Sequence, residues 1–306
     1  MARNRSMMWY GIGFLALVIS TFFLTRITVF AFNSGRAEIR NFPESFFRPS
    51  GERLIFAHRG LTQSTVENTL TSFEASRALG VDVLETDVQL TSDGVVVIFH
   101  DDTLERMAGR SESIAALTLK EVQSLAIPAG CEKCEQIPTL EEFLVRFPAM
   151  PVNIELKNDS KVLAREVARI LAPRQDRKDV IVGSAHKEAI QEFRRQSSLP
   201  TSANTGEVIH ASICYLLDAR CEFDFQALQL PFRPDSLLPA LRGDAEFLDW
   251  AHNRGLRVDY WTINEEADMK TLLGLPVDGI MTDVPSLALK LRAAVAGAGP
   301  GTDKVR

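Results

Sequence analysis

The sequence is short of cysteine. Four in 306 residues are too few for the disulfide lattice that holds small secreted scaffolds together. It also lacks an excess of base: 34 Lys and Arg stand against 40 Asp and Glu, for a net charge of −6. Proteins that bind polyanions carry a basic surplus, so nucleic acid is not expected as a partner. No internal repeat recurs, and nothing in the sequence points to a protein partner. With 45% hydrophobic and 24% charged residues, the chain is neither collagen-like, low-complexity nor disordered in composition.

The mean hydropathy of −0.01 hides one apolar block at the N-terminus. Residues 7–25 carry no charge, with Arg3 and Arg5 before them and Arg26 after. At about 1.5 Å per residue such a run comes close to the roughly 30 Å hydrocarbon core of a bilayer. It is longer than the apolar part of a signal peptide, and Ala31 followed by Phe32 makes a poor cleavage site. We therefore expect a single-pass transmembrane helix and a membrane location, with a cleaved signal or an in-plane helix as alternatives. Trp9 and Tyr10 suit the interface. Arginines flank both ends, so the side of the membrane stays open.

The remaining stretch has roughly 250 residues, the usual length of a TIM (β/α)8 barrel. Short β-branched runs at 54–58, 83–88, 152–155, 180–184, 201–203, 227–230, 257–262 and 279–282 read as strands. Helical patterns such as 69–79, 160–171 and 187–196 alternate with them, which argues for a parallel sheet, and eight strands argue for closure. Between 101 and about 150 lies a small insertion after the second strand, following an inserted strand at 95–99. Expected boundaries are a membrane anchor at 1–33, a linker at 34–52, the barrel at 53–296 and a disordered tail at 297–306, where Gly and Pro cluster.

In such a barrel chemistry gathers at the C-terminal ends of the strands. Those ends hold His58 and Arg59, Glu85 and Asp87, His100, Glu155 and Lys157, and Trp261. Side chains at i and i+2 on a strand share a face, so Glu85 projects with Asp87 and Glu155 with Lys157. Three converging carboxylates repel one another unless a cation sits among them, and oxygen donors suit a hard divalent ion, Mg²⁺ or Ca²⁺. Arg59 and Lys157 beside that ion suit a phosphate. Two histidines supply proton transfer near neutral pH. Against this stand plainer readings: Trp261 as core packing, Lys157 as a mere partner of Glu155, and His186, His210 and His252 as structural. Asp259 is left unassigned. The cysteine pairs, Cys131 with Cys134 and Cys214 with Cys221, fit local disulfides, a zinc site or free thiols.

The constellation resembles the glycerophosphodiester phosphodiesterase family. The matching text is Ala57-His-Arg-Gly60, Glu67-Asn-Thr69, Glu85-Thr-Asp87 with Gln89-Leu-Thr-x-Asp-Gly94, His100-Asp-x-Thr-Leu-x-Arg106, Ile137-Pro-Thr-Leu-Glu141, Asn153-Ile-Glu-Leu-Lys157, Trp261-Thr-Ile-Asn264 and Asp278-Gly-Ile-Met-Thr-Asp283. The resemblance spans residues 54–292. It implies an eight-stranded barrel with one divalent ion on Glu85, Asp87 and Glu155, and Glu67 close by. It also implies His58 and His100 as acid and base, with Arg59 and Lys157 on the phosphate. The implied reaction releases an alcohol from a glycerophosphodiester and leaves glycerol 3-phosphate, often through attack by the neighbouring glycerol hydroxyl and a cyclic phosphate. Val66 stands where the family usually has Pro. The short insertion resembles the compact bacterial branch, while the N-terminal anchor resembles members that act on membrane lysophospholipids, the alternative substrate. A carboxylate-pair glycosidase and a non-catalytic membrane-anchored binding module are the rival classes; the first would ignore chelators.

Overall fold

The computed structural model describes residues 46, 52–132, 134–174 and 179–297. Its strands are β1 (Leu54–His58), β2 (Val83–Leu90), β3 (Val96–Ile98), β4 (Val152–Leu156), β5 (Val180–Gly183), β6 (Ala227–Pro231), β7 (Arg257–Trp261) and β8 (Gly279–Thr282). The main helices are α1 (Leu70–Leu79), α2 (Leu140–Arg146), α3 (Lys161–Leu171), α4 (Lys187–Gln196), α5 (Thr205–Leu216), α6 (Ala245–His252), α7 (Glu266–Leu273) and α8 (Pro285–Gly297). Polar side chains start several of them. Thr69, Thr139 and Asn204 form capping boxes at α1, α2 and α5, and Ser160 caps α3. Each such cap stabilises its helix by about 1 kcal/mol.

The sheet runs β5-β4-β2-β1-β8-β7-β6, and neighbours along this path are parallel. The gap between β5 and β6 is closed by two residues: Thr201 bridges to Val182 and Ser202 to Ala227, both parallel. The strand expected at 201–203 is thus a pair of bridges. Pro200 before it has no N–H to give a ladder, and Asn204 after it already caps α5. The result is a TIM-barrel-like ring of eight parallel positions. The inserted strand is β3, which pairs antiparallel with β2. The insertion packs its own small core of Phe99, Leu104, Met107, Ile114, Val122 and Ile137.

One hydrophobic layer lies between strands and helices, where Phe73, Phe143 and Phe147 meet edge-on beneath α1 and α2. A second fills the lower barrel with Phe46, Phe56, Val83, Ile181, Ala227 and Met281. Each of the five strand residues lies two places before a residue at the mouth, as the strand period requires. Asp259 faces inward too. It is fully buried and pairs with Arg257 at 2.6 Å, and Arg257 also donates to the Phe46 carbonyl at 2.5 Å. Gly279 makes the room, since a Cβ there would lie 2.4 Å from Asp259 Oδ1.

All four cysteines are in disulfides, Cys131–Cys134 and Cys214–Cys221, which answers the open choice among disulfide, zinc and thiol. The expected anchor at 1–33 lies outside the described residues, as does nearly all of the linker and the tail beyond α8. Among the described residues no helix is long and apolar enough to cross a membrane.

Candidate active site

The chain turns sharply as β1 ends. Arg59 and Gly60 both take left-handed backbone, at φ 56° and 92°. Glycine is required at the second position, because a Cβ would sit 2.3 Å from Ser72 Oγ. The turn swings Arg59 back over the mouth. Its backbone N–H donates to Glu85 Oε2 at 3.0 Å, Nε lies 3.2 Å from Asp87 Oδ2, and a terminal nitrogen donates to Glu67 Oε1 at 3.2 Å.

Strand register brings the acids together. His58 is level with Glu85, and Asp87 with Glu155. One ligand atom each from Glu85, Asp87 and Glu155 falls within 4.8 Å of the others. Asn68, itself at φ 57°, donates to Asp87 Oδ2 at 2.9 Å and accepts from Thr86 at 3.0 Å, so its amide is oriented. Asp87 Oδ1 is buried with no hydrogen-bond partner, and Lys157 Nζ lies 3.6 Å from it. That ammonium also contacts Glu155 at 3.2 Å. Burial opposes its charge, yet Asp87 and Glu155 outweigh burial and raise its pKa. Glu85 is pushed up to about 8, first by burial and then by repulsion from Asp87. A buried acid that resists ionisation, beside an orphaned carboxylate oxygen, is a donor set that fits a divalent cation.

Two histidines flank this set, each held by a carboxylate. His58 Nδ1 lies 2.6 Å from Asp283 Oδ1, and His100 Nδ1 2.7 Å from Asp101 Oδ1. Asp101 is held down to about 2, chiefly by Arg106. Asp283 is also lowered: burial opposes this, but the His58 hydrogen bond prevails. Both carboxylates are therefore ionised acceptors at neutral pH, so each Nδ1 donates and each Nε2 is free for chemistry. The His58 Nε2 lies 4.0 Å from Glu85. Burial disfavours the charged imidazole of His58, but Glu85 and Asp283 overcome it and raise its pKa.

A cavity of about 690 Å³ opens here, and His58, Arg59, Glu85, His100, Glu155 and Lys157 all line it. Trp261 is 42% exposed and lines it as well, so it is not simple core packing. Glu67 stands behind Arg59 and is gripped by Arg106 at 2.7 and 2.9 Å, so it belongs to the ion-pair ring rather than to the carboxylate trio. Asp283, Asp101, Asn68 and Arg106 had no role in the sequence reading. Asp283 follows β8 directly, and the strand-end rule applied there would have found it. His186 and His252 make hydrogen bonds to the Lys157 carbonyl and to Asp278, and His210 packs on Phe223.

Residues 58–287 match the family model described as the glycerophosphoryl diester phosphodiesterase family. The chain belongs to that family. A relative named "probable glycerophosphodiester phosphodiesterase 2" from Mycobacterium tuberculosis is 32% identical over 79% of this chain and 91% of its own length. Human lysophospholipase D GDPD1 is 27% identical over 75% of this chain and 83% of its own. A phosphodiesterase of Oleispira antarctica, solved in complex with the product sn-glycerol-3-phosphate, superposes with a TM-score of 0.63 at 23% identity. It covers 81% of this chain and 98% of its own, a likeness of fold. Within this phosphodiesterase chain, the matched segment runs from the first mouth histidine to the start of α8 and so contains every residue of the site just described.

Proposed function

We propose that the chain hydrolyses glycerophosphodiesters to an alcohol and glycerol 3-phosphate, with one divalent cation on Glu85, Asp87 and Glu155. The observation that carries this is the trio of carboxylates within 4.8 Å, flanked by two carboxylate-held imidazoles and two cationic side chains in one cavity. A bound Mg²⁺ or Ca²⁺ would withdraw charge from the phosphate oxygens and so favour attack on phosphorus. Three carboxylates against Arg59 and Lys157 leave one negative charge in excess, and a dication turns that into one positive. Arg59 and Lys157 are then available to orient the phosphate. One imidazole accepts the proton of the attacking hydroxyl, either from water or from the neighbouring glycerol hydroxyl, which then gives a cyclic phosphate that water opens to glycerol 3-phosphate. The other protonates the departing alcohol oxygen as its P–O bond breaks. Trp261 lines the same cavity.

The test is direct: full-length protein with Mg²⁺ or Ca²⁺ should release glycerol 3-phosphate from glycerophosphocholine or a related diester. No release from any head group, acylated or not, would sink the reading. A glycosidase or an inert binding module is excluded by the same assay if turnover is seen and EDTA stops it.

The same proposal includes a membrane location through residues 1–33, supported by the uncharged run at 7–25. Full-length protein should stay with membranes through carbonate washing and come off in detergent. Release by carbonate alone would mean that the segment does not span.

A further inference from the structure

The insertion packs a core of its own, yet one of its side chains leaves that core and reaches the mouth. The helical turn Glu105–Ala108 is anchored by Leu104 and Met107, both buried in the insertion core. Two backbone bonds fix it further. Leu104 N–H donates to the Glu112 carbonyl at 2.9 Å, and Ala129 N–H to the Met107 carbonyl at 2.8 Å. Arg106 lies between these anchors, and its side chain is 50% exposed.

Both edges of its guanidinium are engaged. Nε and one terminal nitrogen donate to Asp101, at 2.6 and 2.9 Å. That terminal nitrogen and its neighbour donate to Glu67, at 2.7 and 2.9 Å. Each carboxylate in turn holds a residue of the mouth. Asp101 Oδ1 lies 2.7 Å from His100 Nδ1, and Glu67 Oε1 accepts from Arg59 at 3.2 Å. Burial opposes ionisation of Glu67, but the Arg106 hydrogen bond and the charge of Arg59 outweigh it and lower its pKa. Arg59 follows β1 and His100 follows β3, so one side chain of the insertion joins two separate edges of the site. Stability alone does not account for four such bonds on a half-exposed side chain, because exposed ion pairs add little to a fold. Position does, since a planar fork fixes direction as well as distance.

We propose that Arg106 is a positioning residue for the phosphodiester chemistry, and that it is the insertion's contribution to the site. Through Asp101 it sets the His100 ring, and so acts on proton transfer. Through Glu67 it sets Arg59, and so acts on the grip on phosphate. The inference rests on the phosphodiesterase reading above. Lysine at this position would keep the charge and lose the fork, because donors gathered on one nitrogen cannot lie along two carboxylates at once.

The experiment uses full-length protein with Mg²⁺ or Ca²⁺ and measures glycerol 3-phosphate released from glycerophosphocholine and glycerophosphoethanolamine. Arg106 is half exposed, so Arg106→Lys and Arg106→Gln should both fold. Each should lower kcat roughly ten-fold, the lower end of what loss of a residue behind a site ligand costs, and raise KM several-fold. Double variants separate the two routes. Added to Asp101→Asn, Arg106→Lys should cost little further kcat; added to Glu67→Gln, it should cost little further KM. On the nitrophenyl ester of glycerol 3-phosphate, Arg106→Lys should follow His100→Ala, recovering kcat only if that variant does, and should not follow His58→Ala. A merely structural role would leave KM unchanged and lower kcat by one factor on every background and substrate. That pattern would overturn the inference and leave the phosphodiesterase reading standing. So would kcat and KM within two-fold of the unmodified protein in both Arg106 variants. Release from neither diester by the unmodified protein would overturn the phosphodiesterase reading and this inference with it.

Discussion

Stripping the protein with EDTA should abolish turnover, and Glu85→Gln should weaken metal affinity and lower kcat together, each by roughly 100-fold or more. Loss of a residue behind a metal ligand already costs about 10–100-fold, and a ligand itself should cost no less. The pH dependence of stability gives an independent reading. In the metal-free protein Glu85 holds its proton up to about 8 against an ordinary 4.5. The folded chain therefore binds more protons than the unfolded one between those values. Stability gained this way is complete below 4.5 and is lost as pH rises toward about 8. With EDTA present, the melting temperature should fall across that window, and the fall should be smaller in the Glu85→Gln variant, which has no charge to bury. Saturating Mg²⁺ or Ca²⁺ should oppose the fall, so the metal-induced rise in melting temperature should grow with pH. Full activity in chelator, or a metal effect independent of pH, would remove the cation from the trio.

The parts of the fold that were legible were those written in local pattern. β1 and β8 could be read to the residue, because β-branched runs are bounded by polar strand ends, and α4 because its apolar residues repeat at helical spacing. Glu85 with Asp87, and Glu155 with Lys157, were legible because a strand puts i and i+2 on one face. The strand read at 201–203 holds its expected place in the sheet, but only as two bridges, because Pro200 before it and the Asn204 cap after it leave no room for a longer ladder. Residues joined across the sequence were hidden. Arg106 ties Glu67 to Asp101, and no local spacing announces a side chain that reaches both. The apolar lining that α5 gives the cavity stayed hidden for a related reason. Two apolar faces on α5 blur the single stripe by which a helix is recognised, and only the folded barrel shows that one of them lines the same cavity as His58 and Lys157.

Replacing His58 or His100 by Ala should each lower kcat by about 10²–10⁴, the size of a general acid or base contribution. The fold should persist, because neither side chain is part of the packed core. The double variant should lose much less than the product of the two, since one proton relay is broken either way. Asp283→Asn and Asp101→Asn should act through the same imidazoles. A carboxamide placed 2.6 or 2.7 Å from Nδ1 can present its NH₂ as well as its oxygen, so the ring is no longer compelled to donate there and Nε2 is no longer always the free nitrogen. These variants should lower kcat with little change in KM and shift the limbs of the pH–rate profile, which a merely structural loss would not do. A nitrophenyl diester separates the two histidines. Its leaving group departs without a proton, so the variant lacking the acid should recover most of its rate on that substrate, and the variant lacking the base should not. Near-wild-type kcat in either single alanine variant would reduce that histidine to a wall of the cavity, and recovery of both on the nitrophenyl substrate would mean that neither removes the attacking proton.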